Sequence, residues 1–213
     1  MTELLNFLFV VVLLLNSLML GTSRMRAVIH CAGAQGVLLG TAYLALHGGS
    51  GLRAFALALA IAGIKGVLIP RILLGALRSQ PIRREVEPFV SFTVSLLLGA
   101  LATGLAILFA GTLPLLESDG GALLVPTSFA TVLTGFIVLT TRRKALTQVV
   151  GYLTLENGIF VFGLTLIESM PFLVEAGVLL DVLVGVFVMG VVVDHIARDF
   201  ASLSRDELTE LRE

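Results

Sequence analysis

Long apolar runs alternate with short polar breaks along the whole chain. Seven runs are evident, at about 3–22, 28–47, 53–77, 88–112, 122–141, 146–168 and 172–196. Each is close to the roughly 20 residues that a helix needs to cross a bilayer. The pattern therefore predicts an all-α, polytopic membrane protein with seven transmembrane helices. The first run begins with Glu3 where a signal peptide would be basic, runs too long and lacks a small-residue cleavage site, so it is read as a retained helix. Positive charge alternates between connectors. Arg24 and Arg26 lie in the first, Arg78, Arg83 and Arg84 in the third, and Arg142, Arg143 and Lys144 in the fifth, while Arg198, Arg205 and Arg212 follow the last run. The intervening connectors hold only Arg53 beside Glu117, Asp119, Glu168 and Glu175. The positive-inside rule then places the N-terminus outside and the C-terminus in the cytoplasm.

Composition agrees. The chain is 57% hydrophobic and 14% charged, with a mean hydropathy of +1.03, whereas soluble domains are about 25% charged. Lipid is the expected solvent, and a single transmembrane domain over 1–197 with a short cytoplasmic tail at 198–213 is the expected organisation. In the tail, Ser204 and Glu207 form a capping box for a short helix. No basic face or aromatic platform suggests nucleic acid. The single cysteine, Cys31, offers no disulfide within the chain. Trp is absent, which leaves Tyr43 and Tyr152 as the aromatics expected at the lipid interface.

Three ionisable residues fall deep inside apolar runs: Lys65, Glu156 and Asp181. Charge at the centre of a membrane helix costs about 3 kcal/mol or more, so such residues are functional candidates. At about 1.5 Å of rise per residue, all three come near the midplane. Small residues accompany them. Gly177, Asp181 and Gly185 share one helical stripe, Ala58, Ala62 and Gly66 lie beside Lys65, and Gly151, Gly158 and Gly163 thin the Glu156 helix. These stripes predict that the charges face protein or water. Pro70, five residues after Lys65, is expected to break its helix. Gln35, Asn157, Tyr152 and Arg71 are candidate supporting polar groups, with Arg71 close enough to the cytoplasmic end to snorkel. Asn6, Asn16 and Gln35 are expected to make interhelical hydrogen bonds. His30, His47 and His195 sit near helix ends without ligand spacing, so no metal site is expected. Carboxylates and amines held out of water titrate nearer neutral pH than in solution, and such groups in a bundle are the parts of a proton relay. Simple pairing that holds helices in register is the competing reading. Nucleotide loops, Gly-x-Ser-x-Gly and His-Glu-x-x-His are all missing, so no catalytic residue is expected and any redox chemistry belongs to other chains.

Three stretches carry a resemblance. They are Gly151-Tyr-Leu-Thr-Leu-Glu156-Asn-Gly158, Leu173-Val-Glu175-Ala-Gly177 followed by Asp181, and Lys65-Gly-Val-Leu-Ile-Pro70. With Gln35 and the seven-run length, they resemble hydrogenase-4 component E, a membrane subunit of complexes built on group 4 nickel–iron hydrogenases. The last three runs, 121–197, also resemble subunit K of complex I and its counterpart in cation/proton antiporter complexes. There, membrane glutamates stand where this chain has Glu156 and Asp181. The second is one methylene shorter here, and runs one to four, within 1–120, have no counterpart. The resemblance implies a non-redox, proton-conducting subunit in a prokaryotic inner membrane. Its implied partners are antiporter-like membrane subunits and a hydrogenase membrane-anchor subunit. Nickel–iron and iron–sulfur centres would sit on further partner chains, in a peripheral arm, and no cofactor on this one. An antiporter complex without hydrogenase, and a structural spacer that moves no ions, remain open. A seven-helix receptor or retinal protein is disfavoured by the short loops, the lack of Trp and the early position of Lys65.

Overall fold

The computed structural model describes residues 2–46, 51–79, 86, 88–113, 121–166 and 177. Among the described residues the chain is all-helical. The helices are α1 (Thr2–Gly21), α2 (Met25–Leu46), α3 (Leu52–Gly63), a π-helical turn (Ile64–Leu68), α4 (Ile69–Ser79), α5 (Phe92–Ala110), α6 (Leu124–Thr141) and α7 (Ala145–Gly163). With α3 to α4 taken as one span, Leu52–Arg78, six helices are long and apolar enough to cross a membrane. This is the signature of a multi-pass membrane protein. The seventh expected run, 172–196, lies outside the described residues except for Gly177. Asp181, Glu175 and the tail with its Ser204–Glu207 cap lie outside them too.

The helices are apolar on nearly every side, so a hydrophobic face cannot choose their neighbours. Small residues do so by letting backbones approach. On α5 the buried positions Ser95, Gly99, Ala102 and Ala106 recur every three or four residues, while Leu97, Leu101 and Leu108 face outward. Between α6 and α7, a Cβ at Gly151 would stand 2.6 Å from the Leu139 nitrogen, and one at Gly158 would stand 2.5 Å from that of Val132. On α2, Gly40 lies against the Ala58 carbonyl and Ala62, and Gly33 lies against Pro70. The stripe beside Lys65 therefore meets α2.

Backbone bonds gather the basic connectors at one end. Val86 donates to the Ser23 carbonyl at 2.8 Å, and Phe89 donates to that of Thr141 at 2.8 Å. Pro88 pairs with Arg142 in an isolated antiparallel bridge. Arg24, Arg142, Arg143 and Lys144 thus share this basic end. The core then falls into two apolar clusters. One, including Met19, Ile29, Leu73, Val138 and Leu153, fills the basic half. The other, including Leu5, Leu39, Ile61, Leu124 and Val161, fills the far half. Tyr43 belongs to the far cluster and is buried, which corrects its expected place at the lipid interface.

Candidate functional site

Between the two clusters lies a polar layer. It begins at the break in the third span. Proline has no N–H, so Pro70 cannot close an ordinary helical bond. The chain widens just before it, with the Ile69 N–H bonded to the Ile64 carbonyl five residues back. Such π-turns are rare and concentrate at functional sites. This one carries Lys65 against α2 at Gly36, where any Cβ would stand 2.5 Å from the Lys65 Cβ.

Lys65 is buried, at 6% exposure. Its Nζ donates to Asn157 Oδ1 at 3.2 Å, stands 3.9 Å from Glu156 Oε2, and lies 5.7 Å from the centre of the Phe160 ring. Glu156 is buried as well, at 8%. From Asn157 a chain of side chains continues across the bundle. Asn157 Nδ2 donates to Gln35 Oε1 at 3.3 Å. Gln35 Nε2 donates to Asn16 Oδ1 at 2.7 Å. Asn16 Nδ2 donates to Thr131 Oγ1 at 2.9 Å. Six residues from α1, α2, the π-turn, α6 and α7 are thereby joined. A cavity of about 10 Å³ opens beside Lys65 and Asn157, walled by Ile29, Pro70, Leu73 and Leu153. That is about the room one water needs. Ile29, Leu73 and Leu153 belong to the basic-end cluster, so the cavity lies on that side of the lysine.

Lys65, Glu156, Gln35 and Asn157 are thus brought together. Arg71 and Tyr152 are exposed. Asn16 makes the interhelical bonds expected of it, as does Gln35. Asn6, by contrast, packs against Gly121 with its oxygen buried and without a hydrogen bond among the described residues. Thr131 is a member the sequence did not mark, because a threonine in an apolar helix commonly bonds its own backbone.

Arg142 lies in the fifth connector, as the sequence places it, but is withdrawn from solvent. It is 1% exposed. Nη2 donates to the Leu20 carbonyl at 3.0 Å, and the guanidinium lies 5.1 Å over the Phe92 ring. Nη1 is buried without a hydrogen bond among the described residues. Burial pushes the guanidinium below its ordinary pKa, yet arginine remains charged at neutral pH. A cation at the last carbonyls of α1 complements the helix dipole.

The chain is 36% identical over 161 residues to the uncharacterized protein Rv0085 of Mycobacterium tuberculosis, which covers 74% of this chain and 72% of that protein. No family model matches the chain, and no solved structure matches it. At that identity and coverage, the chain belongs to the same family as Rv0085.

Proposed function

We propose that the chain is a non-redox membrane subunit of a nickel–iron hydrogenase complex, contributing Lys65, Glu156 and Asp181 to a proton path. The observation that carries this reading is a lysine and a glutamate 3.9 Å apart inside an apolar bundle, beside a water-sized cavity. Buried ion pairs seldom add net stability over a hydrophobic core, so retaining one in lipid favours a role in moving charge. The π-turn adds to this, since it places the lysine where an unbroken helix would not. The cavity on the basic side would let water exchange a proton with Lys65 from that side. Glu156 would pass it on, with Asp181 as the next acid.

The same proposal includes seven spans, with the N-terminus outside and the C-terminus in the cytoplasm of a prokaryotic inner membrane. Its support is the gathering of Arg24, Arg142, Arg143 and Lys144 at one end of the bundle. Antiporter-like subunits and a hydrogenase membrane anchor are the proposed neighbours. The nickel–iron and iron–sulfur centres would sit on other chains, in a peripheral arm, and this chain would hold none. An antiporter complex without hydrogenase would use the same residues.

One observation favours a second reading, a spacer that moves no ions. The amide chain is bonded directly from residue to residue, which ties α1, α2, α6 and α7 in register. Two measurements separate the readings. Purification of the tagged chain from native membranes should bring down a hydrogenase large subunit, and antiporter-type chains alone would remove the hydrogenase part. In the assembled complex, Glu156→Gln and Asp181→Asn should each lower proton translocation at least tenfold while dye-linked hydrogen oxidation persists. Full translocation in both variants would leave only the spacer.

A further inference from the structure

The hydrogen bonds of the polar layer all run in one direction, and a single group sets that direction. An ammonium has donors and no acceptor. Facing Lys65, Asn157 must therefore present Oδ1, which turns its Nδ2 toward Gln35. Gln35 must then accept with Oε1 and donate with Nε2, Asn16 must do likewise, and the chain ends on Thr131 Oγ1. Each amide could equally well face the other way if taken alone. Together they form a row of aligned dipoles with their negative ends toward the lysine. Amides neither take up nor release protons readily, so this row is a poor conductor and a good sensor of charge.

We infer that Gln35, Asn16 and Thr131 are positioning residues for Lys65, holding Asn157 with its oxygen toward the ammonium, so that the charge of Lys65 in turn fixes which way three amides face on α7, α2 and α1. A neutral lysine keeps two N–H donors but gains a lone pair, so it can also accept from an Asn157 turned over to offer Nδ2. The row is then no longer held in one direction, and on reversal Thr131 changes from acceptor to donor. The protonation state of a residue on the third span is thereby registered on α6. Among the described residues the charged group facing Lys65 is Glu156 on α7. Here α2 brings the apolar Ile29 and Ala32, with Gln35 bonded to Asn157, and α4 brings Ile69, Pro70 and Leu73. The inference rests on Lys65 exchanging protons, as proposed above, and is independent of which complex holds the chain.

The test uses the full-length chain in lipid nanodiscs. It contains two lysines, Lys65 and Lys144, so ¹⁵N-lysine labelling yields two Nζ signals, and Lys65→Met assigns them. Gln35→Leu should shift the Lys65 Nζ signal, because Asn157 is no longer held with its oxygen toward the ammonium, and leave that of Lys144 in place. Thr131→Val should move the Lys65 signal in the same direction by less, and Thr131→Ser should restore it. Unchanged Lys65 Nζ signals in folded Gln35→Leu and Thr131→Val overturn the inference. A Lys65 signal that never titrates removes the proton-exchange reading instead. The positioning role is then decided by the side-chain NH₂ signals of Gln35 and Asn16 in Lys65→Met: both should shift, and an unmoved Asn16 refutes the chain.

Discussion

Replacing Gly36 by alanine adds a single methyl group, and its cost follows from three distances. The new Cβ would stand 2.5 Å from the Lys65 Cβ, 2.7 Å from its carbonyl carbon and 2.8 Å from the Gly66 nitrogen. Two of these are backbone atoms of the π-turn and cannot rotate away. Ordinary contact therefore requires α2 and the π-turn to part by about 1 Å. Overpacking of this kind costs about 1–3 kcal/mol. The same movement stretches the Lys65–Asn157 bond, 3.2 Å in the native chain, beyond hydrogen-bond range. Losing a bond to a charged group costs about 1.5–3 kcal/mol more. The sum, about 2.5–6 kcal/mol, lowers the melting temperature by on the order of 10 °C for a chain of this size. Gly104→Ala is the control. Nothing lies within 4 Å of its added Cβ, so the better helix propensity of alanine should leave it neutral or stabilised by up to about 1 kcal/mol. With no Trp in the chain, the single cysteine provides the assay. Cys31 is 3% exposed and becomes reactive toward a fluorogenic maleimide as the bundle opens. If Gly36→Ala melts within about 2 °C of Gly104→Ala, the π-turn is not pressed against α2 as described.

Two further outcomes are expected. Lys65→Met and Glu156→Gln should each destabilise by about 3–5 kcal/mol, by stranding a buried charge, while the double variant should lose less than their sum; a melting series over the four proteins gives the coupling, and strict additivity would mean the pair does not interact. Arg142→Ala should cost about 2–4 kcal/mol, through the lost bond to the Leu20 carbonyl and the space left under Phe92, whereas the exposed Arg143→Ala should stay within about 0.5 kcal/mol; equal melting temperatures would remove the role assigned to Arg142.

Spans were easier to read from the sequence than partners. Bilayer thickness sets the length of every spanning helix, so the expected 3–22 and 122–141 lie within two residues of Thr2–Gly21 and Leu124–Thr141. The run at 88–112 starts later because Pro88 pairs with Arg142 in extended backbone and Ser91 caps α5 by accepting from the Val94 N–H at 3.3 Å. Pro70 announced a break, but whether a proline yields a kink or a π-turn depends on what receives the displaced backbone, and that receiver is Gly36 on another helix. Lys65 and Asn157 are 92 positions apart, and no periodicity relates them. Arg142 was hidden by its neighbours, since three consecutive basic residues at a helix end ordinarily signal a solvated connector. What sets it apart is the carbonyl of Leu20, 122 positions away.

The choice of amides beside the lysine has a physical logic of its own. A group that must hold a proton at one moment and release it at another needs surroundings that tolerate both states. An ion pair favours only the charged state, and a purely apolar wall favours only the neutral one. A second carboxylate against Lys65 would bind its charge more tightly still and leave an excess negative charge whenever the proton departed. An amide carries an acceptor at one end and a donor at the other, with almost the same shape either way round, so a half-turn converts a site for an ammonium into a site for an amine without moving a helix. Gly36 and the π-turn hold the lysine close enough for that exchange to matter, and the apolar clusters on both sides keep bulk water from making it irrelevant. Because the row ends on Thr131, whose hydroxyl both donates and accepts, reversal leaves no member without a partner. A threonine serves at that end where a valine of the same shape does not.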